Sequence, residues 1–520
     1  MPEDERVVIG EMSKEEFLDK NPAPAPGVRL KQIDRSQDRF EIVVVEDLIP
    51  EDHLARAIWE MTGELDLSGY MGKIRAVKGV AGRERTDPRL LLSLWLYSYT
   101  QSVSSAREIE RLCVYHPAYR WLCGTAVVNY HTLSSFRVDH KEELERLFVE
   151  QLGILNREGF VDLEEVMHDG TKIMAQAGGG TFRGEKTLEE HMELAEKLVK
   201  ELSDADQGEE ISKRRQSARK RAARERIERL KQAQEELEKV RAIKGSAKKK
   251  EEARVSETDP EARIMKQSGS GGFAPSYNVQ VTTDGKAKII LAVAATQSGT
   301  DAYELTPAVA RVEENLGEKP VQMVADGGFT SRENIMAMAA QGVGFIGSLA
   351  DRTKQVEASY ERLGIPREFW RESFKYDDES DSYICPNGEV LIHKWETTVI
   401  GGVEHKYSTD AAICDACPFK QQCCPKGRRR DIIRVAETKE MTEYRGTMET
   451  EKAKATYKRR SEVAEFPNLW IKEKLGLRRF RLRGLVKVGM EATWACLTYN
   501  IQQWVRLSWR PKLRAAAVII

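Results

Sequence analysis

The chain has 520 residues, with 82 Lys or Arg against 83 Asp or Glu and a formal net charge of −1. That length allows about two to four domains with cores of their own, and the 41% hydrophobic content is that of a globular protein. A near-neutral total excludes any argument for nucleic acid from net charge alone, eight cysteines do not suggest a disulfide scaffold, and no apolar run approaches the roughly 20 residues of a membrane helix.

In chain order, residues 1–45 are polar and include Pro22-Ala23-Pro24-Ala25-Pro26, which predicts a flexible arm with one strand at 40–45. The opening residues 1–12, MPEDERVVIGEM, are acidic and lack the apolar core of a signal peptide. Residues 46–160 predict an all-helical domain. Leu54, Ile58 and Met61 keep helical spacing, Asp87-Pro88 is a helix start, residues 105–113 form a short helix, and one longer helix opens at His131 and runs through Leu147, Leu152 and Leu155. A Ser-rich turn between two helices suits a groove-reading helix, and plain helical packing gives the same periodicity.

Residues 161–177 contain EEVMHDGTKIMAQA, read as a strand carrying Asp169 outward at its end, with His168 an ordinary strand side chain. An insertion over 178–265 follows. Leu188, Met192, Ala195, Val199 and Leu202, then Ile227, Leu230, Ala233, Leu237 and Val240, give two heptad seams around a turn at 203–208. They predict an antiparallel coiled-coil hairpin, either a solvated spacer or an arm for dimerisation or for gripping DNA. Two paired strands are expected within 273–297, turning at Thr283-Asp284-Gly285. Asp301, three residues before Glu304, has the spacing of a helix cap for a helix ending near Leu316. Residues 321–334, VQMVADGGFTSREN, repeat the form of the first site: apolar strand, Asp326, glycines, then a helix from Ser331 to Gln341 and a strand over 343–349.

Residues 351–435 interrupt this alternation and hold five of the eight cysteines. Cys385, Cys414, Cys417 and either Cys423 or Cys424 form a candidate Zn²⁺ site, since four thiolates suit tetrahedral zinc; unmetallated thiols are the other reading. Residues 437–505 read as largely helical, with Glu465 before a helix that begins at Pro467. From 478 to 520 there are nine Lys or Arg against one acid, a local stripe that suits DNA phosphates, and 506–520 is a basic tail.

Asp169, Asp326 and Glu465, brought together by one sheet, are what a pair of Mg²⁺ (or Mn²⁺) ions needs: hard cations take oxygen ligands and clamp the attacking and leaving oxygens of a phosphodiester. Asp169-Gly170-Thr171, Tyr277-Asn278-Val279-Gln280, Ala325-Asp326-Gly327-Gly328-Phe329 and Phe480-Arg481-Leu482-Arg483-Gly484-Leu485 together resemble a DDE transposase of a bacterial insertion sequence. Tyr457, Arg460, Glu465 and Lys472 resemble that group's tyrosine-arginine-glutamate-lysine signature, with one residue too many between the arginine and the glutamate; Glu462 is the rival acid.

The resemblance implies an α/β, RNase H-like catalytic core over 161–350 and 436–505, carrying the helical hairpin and the Cys-rich insertion behind the helical N-terminal domain. It also implies cleavage and strand transfer on double-stranded DNA at element ends and target. Tyr457, Arg460, Lys472, Arg478, Arg479 and Arg483 would contact DNA. A homodimer is expected because two ends must be paired. Neither a membrane nor a small-molecule substrate is expected, and the location is cytoplasmic at the nucleoid. A metal-dependent nuclease of the same fold, or an inactive DNA-binding descendant, would share much of this pattern.

Overall fold

The computed structural model describes residues 16, 19–20, 42–74, 84–204, 213–267, 271–350 and 352–519. Apart from residues 16 and 19–20, the predicted arm up to residue 41 lies outside them, as does the 205–208 part of the hairpin turn predicted at 203–208. Residues 42–44 are irregular and lead into a single 3₁₀ turn, Val45–Leu48, so the expected strand does not form there. The chain divides into a small unit, residues 1–47, and a larger one, 48–520.

The larger unit opens with helices. α1 (Leu54–Glu64) precedes α2 (Pro88–Thr100), which Asp87 caps through its carboxylate with Pro88 in the first turn. α3 (Ala106–Tyr115) is capped by Ser105, and α4 (Pro117–Leu122) follows it. The single long helix expected from His131 is two: α5 (Tyr130–Val138) and α6 (Lys141–Arg157). The chain leaves helical geometry at His140 (φ −130°, ψ 53°), and re-entry there lets Phe136 and Leu144 both reach the core.

A mixed α/β region follows. β1 (Val166–Met174) pairs antiparallel with β3 (Phe273–Asp284), and β2 (Arg263–Lys266) and β4 (Ile290–Thr296) share the far edge of β3. On its other edge β1 pairs parallel with β5 (Gln322–Ala325), which pairs parallel with β6 (Gly344–Ile346). The order along the sheet is β2-β3-β1-β5-β6, with β4 on β3. α9 (Leu305–Leu316) lies between β4 and β5 in sequence, and α10 (Arg332–Ala340), capped by Ser331, between β5 and β6.

Between β1 and β2 the hairpin consists of α7 (Glu185–Asp204) and α8 (Lys213–Ile243). Leu188, Ala195, Leu230, Ala233 and Leu237 bury its base, while Val199 and Leu202 of the predicted seam are only half-buried. At 1.5 Å per residue α8 spans about 46 Å. The Cys-rich segment carries an unforeseen antiparallel sheet in sequential order: β7 (Lys375–Asp377), β8 (Ser382–Ile384), β9 (Val390–Val399), β10 (Gly402–Ser408) and β11 (Asp431–Glu437).

From Lys439 onward the chain is largely helical: α11 (Lys439–Glu449), α12 (Glu451–Arg460), a π turn Ser461–Glu465, α13 (Phe466–Glu473) and α14 (Leu485–Trp504). α14 is buried along most of its length, and its Trp494, Tyr499 and Trp504 belong to one apolar core with the N-terminal helices and the sheet. Among the described residues no helix is long and apolar enough to cross a membrane.

Candidate active site

Asp169 is the fourth residue of a nine-residue strand, not its last. The strand continues because Gly170 to Met174 keep their pairing with β3, from Gly170 opposite Gln280 to Met174 opposite Ser276. Its parallel register with β5 is Val166 to Met323, Met167 to Val324 and His168 to Ala325. One further step sets Asp169 across from Asp326, the first residue past β5. Asp326 accepts from the Gly328 N–H at 2.7 Å, a tight turn in which a Cβ on Gly328 would lie 3.0 Å from the Asp326 carboxylate.

Burial first, and then the neighbouring Asp326 charge, push the Asp169 carboxyl up to about 6; Arg460 and Asn468 oppose them. Asn468 donates to Asp169 Oδ2 at 3.0 Å, and its own carbonyl oxygen is buried without a protein partner. Lys472 is held below the usual lysine range by burial, with Asp169 acting against that shift. Asn468 and Lys472 are four residues apart on α13, so both face β1.

The surplus residue between Arg460 and Glu465 has a structural home. Residues 461–465 form a π turn inside an otherwise continuous helical path from Glu451 to Glu473. A π turn absorbs one extra residue, so Glu465, Asn468 and Lys472 follow one another on one face despite Pro467, which sits in the first turn of α13 where its missing N–H costs nothing. Arg460 Nη2 lies 3.5 Å from Glu465 Oε1, and the exposed Glu465 thereby shares its cation with Asp169. Glu462 turns elsewhere, to Lys288 at 2.8 Å. Tyr457 packs against the small apolar cluster that includes Met167, Val324 and Val463, with the Arg460 guanidinium 5.8 Å from its ring.

The arginines after α13 are partly occupied by the protein. Arg478 pairs with Glu473, Arg479 reaches the Ala175 carbonyl at 3.5 Å, and Arg483 the Gln176 carbonyl at 3.3 Å. Phe480 donates its N–H to the Met174 carbonyl at 2.9 Å, so this run extends the end of β1. Gly484 (φ 83°) then turns into α14, whose first N–H groups meet Asp259 and Glu261.

Two family models match the chain: a transposase domain (DUF772) over residues 43–139, and a transposase DDE domain over 384–505, the stretch that carries Arg460, Glu465 and Lys472. The chain is a DDE transposase of the insertion-sequence type. Its general activity is therefore DNA cleavage and strand transfer, a chemistry for which DDE domains use divalent metal ions. No curated protein matches it. Among solved structures, a piggyBac transposase synaptic complex with hairpin DNA is similar over 91% of this chain and 75% of that one, at 8% identity and a TM-score of 0.31, which by itself does not define a shared fold.

Two polar residues of the transposase, Asn468 and Lys172, have no role assigned from the sequence, and Asp301 has a role other than the expected one. Asn468 gave no signal beyond its place between Glu465 and Lys472. Lys172 and Asp301 meet on the opposite face of β1 from Asp169, 2.9 Å apart. Asp301 is not the cap of α9, which starts at Leu305. Its carboxylate instead accepts from Asn278 at 2.6 Å and Gln280 at 3.1 Å. Burial works against the charged form, but the Asn278 and Lys172 hydrogen bonds hold Asp301 below the usual carboxylate range. Gly170 makes room for it: a Cβ there would lie 2.5 Å from Asp301 Oδ1. His168, on that same face, is buried and neutral, its pKa pushed down to about 4 by burial; its ring contacts Thr282 at 2.8 Å and Gln280 at 2.9 Å.

The cysteines gather. Cys385, Cys414, Cys417, Cys423 and Cys424 line one cavity of about 40 Å³ with Phe369, Phe374 and Leu391. The Glu389 N–H donates to Cys385 Sγ at 3.3 Å, and the Cys417 N–H to the Cys414 carbonyl at 3.2 Å. Burial pushes the Cys423 thiol up to about 12.

Proposed function

We propose that Asp169, Asp326 and Glu465 are the metal-binding triad of an RNase H-like transposase core, and that the six-stranded sheet contains that core: four antiparallel strands, β1 to β4, extended by the parallel β5 and β6. The single observation that carries this is the β1–β5 register, which sets two carboxylates side by side in a desolvated position with Arg460, Asn468 and Lys472 around them. Two clustered acids, one of them pushed toward neutrality, and an orphaned Asn468 oxygen make a donor set that fits hard dications such as Mg²⁺ or Mn²⁺. When bound, such ions supply an activated oxygen nucleophile and stabilise the leaving oxygen.

The chain's own residues do the rest. Asn468 fixes the orientation of Asp169. Arg460 joins Glu465 to the aspartates and, with Lys472, holds phosphate oxygens at the scissile bond, the guanidinium by a bidentate contact. Tyr457 supports the guanidinium. Water attack at the phosphorus of an element end frees a 3′-hydroxyl as the leaving group, and that hydroxyl then attacks a target phosphorus in line and expels the target strand's own 3′-oxygen.

The proposal extends to the other parts. The helices of 46–160 recognise the terminal repeats, and the basic segment from Arg478 with its tail at 506–520 follows the backbone. The hairpin within 178–265 grips DNA: α8 carries Lys220, Arg221, Arg224 and Arg229 along one side, interspersed with Glu225 and Glu228. Cys385, Cys414, Cys417 and Cys423 or Cys424 hold a structural Zn²⁺ in the insertion, and two chains pair the two ends.

The test is cleavage of the element's terminal-repeat DNA in Mg²⁺ or Mn²⁺. Asp169→Ala, Asp326→Ala and Glu465→Ala should each abolish cutting with DNA binding retained, and Glu462→Ala should cut normally. Cutting by Glu465→Ala but not by Glu462→Ala would overturn the choice of glutamate. Specific binding by a wild type that never cuts would mark an inactive descendant.

A further inference from the structure

We propose a second, thiolate-free metal site in the β7–β11 sheet, formed by His393, Glu396 and His405 and taking a divalent ion of borderline softness, zinc foremost. Nε2 of His393 lies 3.3 Å from Nδ1 of His405, and that nitrogen lies 3.7 Å from Oε2 of Glu396. Ligand atoms of the three residues all lie within 4.8 Å of one another, and among the described residues they form the one such group of histidine, cysteine and acidic side chains. Two imidazole nitrogens bound tetrahedrally to one zinc at about 2.0–2.1 Å stand about 3.3 Å apart, the separation already present.

The backbone is arranged for this. In a regular strand, residues 393 and 396 point to opposite faces, because side chains alternate. The β9–β10 register slips between His393 and Trp395: His393 pairs with Tyr407, yet Glu396 pairs with His405. The bulge leaves one extra residue, Lys394, in β9, and so turns His393 and Glu396 to the face that carries His405 and Tyr407. This is also the face on which Leu391, Tyr407 and Ile432 bury the small core of the sheet. The three ligands begin where that core gives way to solvent toward the 399–402 hairpin turn.

The neighbouring cations are engaged elsewhere. Arg434, opposite His405 on β11, stacks 4.2 Å from the Tyr376 ring, and Lys406 pairs with Asp431 at 2.8 Å. Asp381 adds negative charge behind the histidines: it accepts from the Tyr376 and Tyr407 hydroxyls at 2.8 and 2.7 Å, and the Tyr407 ring lies 5.4 Å from that of His393. Glu396 is 65% exposed, so the fourth position opens to water. Two imidazoles and one carboxylate suit zinc over Mg²⁺ or Ca²⁺, which prefer all-oxygen shells.

The test uses the full-length chain, stripped with chelator and reloaded with Zn²⁺ or Co²⁺. Bound zinc is counted after dialysis for wild type, His393→Ala/His405→Ala and Glu396→Gln. The double variant should lose one zinc equivalent, and Glu396→Gln should bind that equivalent about tenfold more weakly. In the Co²⁺ form, the thiolate-to-cobalt charge-transfer band of the cysteine cluster should keep its intensity in both variants. Unchanged zinc stoichiometry and affinity in the variants would overturn the proposal, as would a charge-transfer band that falls in step with the histidine substitutions. Should the double variant fail to fold, the exposed Glu396→Gln change decides by itself: unaltered zinc affinity refutes the site.

Discussion

Arg137 and Glu491 form a buried ion pair between α5 and α14, and its disruption should be costly. Arg137 Nη2 lies 2.7 Å from Glu491 Oε1, with the side chains 5% and 0% exposed. Arg137 also donates to the Tyr99 hydroxyl at 2.6 Å and the Ser104 carbonyl at 3.0 Å. Burial pulls its pKa down, but Tyr99 and Glu491 carry it above the ordinary arginine value. Glu491 in turn accepts the N–H groups of Arg481 and Leu482, at 3.0 Å each to Oε2, which holds the run beside the end of β1. Removing one partner of a buried pair costs about 3–5 kcal/mol, because the other charge stays buried and unpaired. Arg137→Met should fall at the lower end, about 3 kcal/mol, since Glu491 keeps its two backbone donors. Arg137→Met/Glu491→Gln should cost clearly less than the sum of the single changes, with a coupling of about 2 kcal/mol. Urea unfolding followed by tryptophan fluorescence measures this directly: the Arg137 guanidinium lies 4.8 Å from the Trp95 ring, and the Trp494 indole donates to the Arg137 carbonyl at 3.3 Å. A cost below about 1 kcal/mol for Arg137→Met, or strictly additive single changes, would refute the reasoning.

Gly170→Ala should destabilise the sheet by about 1–3 kcal/mol through overpacking against Asp301 and Gln280; an unchanged melting temperature would contradict the close approach. Arg221→Ala/Arg224→Ala/Arg229→Ala should weaken non-specific DNA binding and flatten the log K against log salt plot by about 0.9 for each phosphate that is no longer neutralised; an unaltered slope would take the arm away from DNA. Glu437 bonds to Arg445 at 2.6 and 2.8 Å and to Arg332 at 2.6 Å, which holds its carboxyl below the ordinary range, Arg445 contributing most. Its folded pKa is depressed, so its stabilisation is complete above the unfolded glutamate value of about 4.3 and disappears as pH falls through the lower folded value. Unfolding measured from pH 7 to pH 3 should therefore show wild type losing its advantage over Glu437→Gln only below about pH 4, and a constant difference would contradict the assignment.

Much of the alternation along the chain was legible because local chemistry sets it. Asp87-Pro88 and Ser331 are helix starts whatever surrounds them, and the Val-Ile-Leu runs around 279–293 can only be buried strands. The errors occurred where a distant partner decides. The helix over 131–155 breaks at His140 because two different surfaces of one core must be met, which periodicity does not register. Asp301 has the spacing of a cap, but three donors on β1 and β3 outcompete the helix N–H groups for its carboxylate. The strands of the Cys-rich segment went unread because their residues are largely exposed, so no apolar alternation marks them.

By itself the sequence determined which residues have the chemistry: carboxylates after apolar runs, a basic arginine-rich end, clustered thiols, and glycines where backbone must approach closely. Only the tertiary structure decided which of them meet. The parallel register that aligns Asp169 with Asp326, the π turn that absorbs the surplus residue before Glu465, and the bulge that turns His393 and Glu396 to one face all depend on pairing between segments far apart in the chain. A one-residue change of register reverses every side chain on a strand, and nothing local in the sequence records that choice.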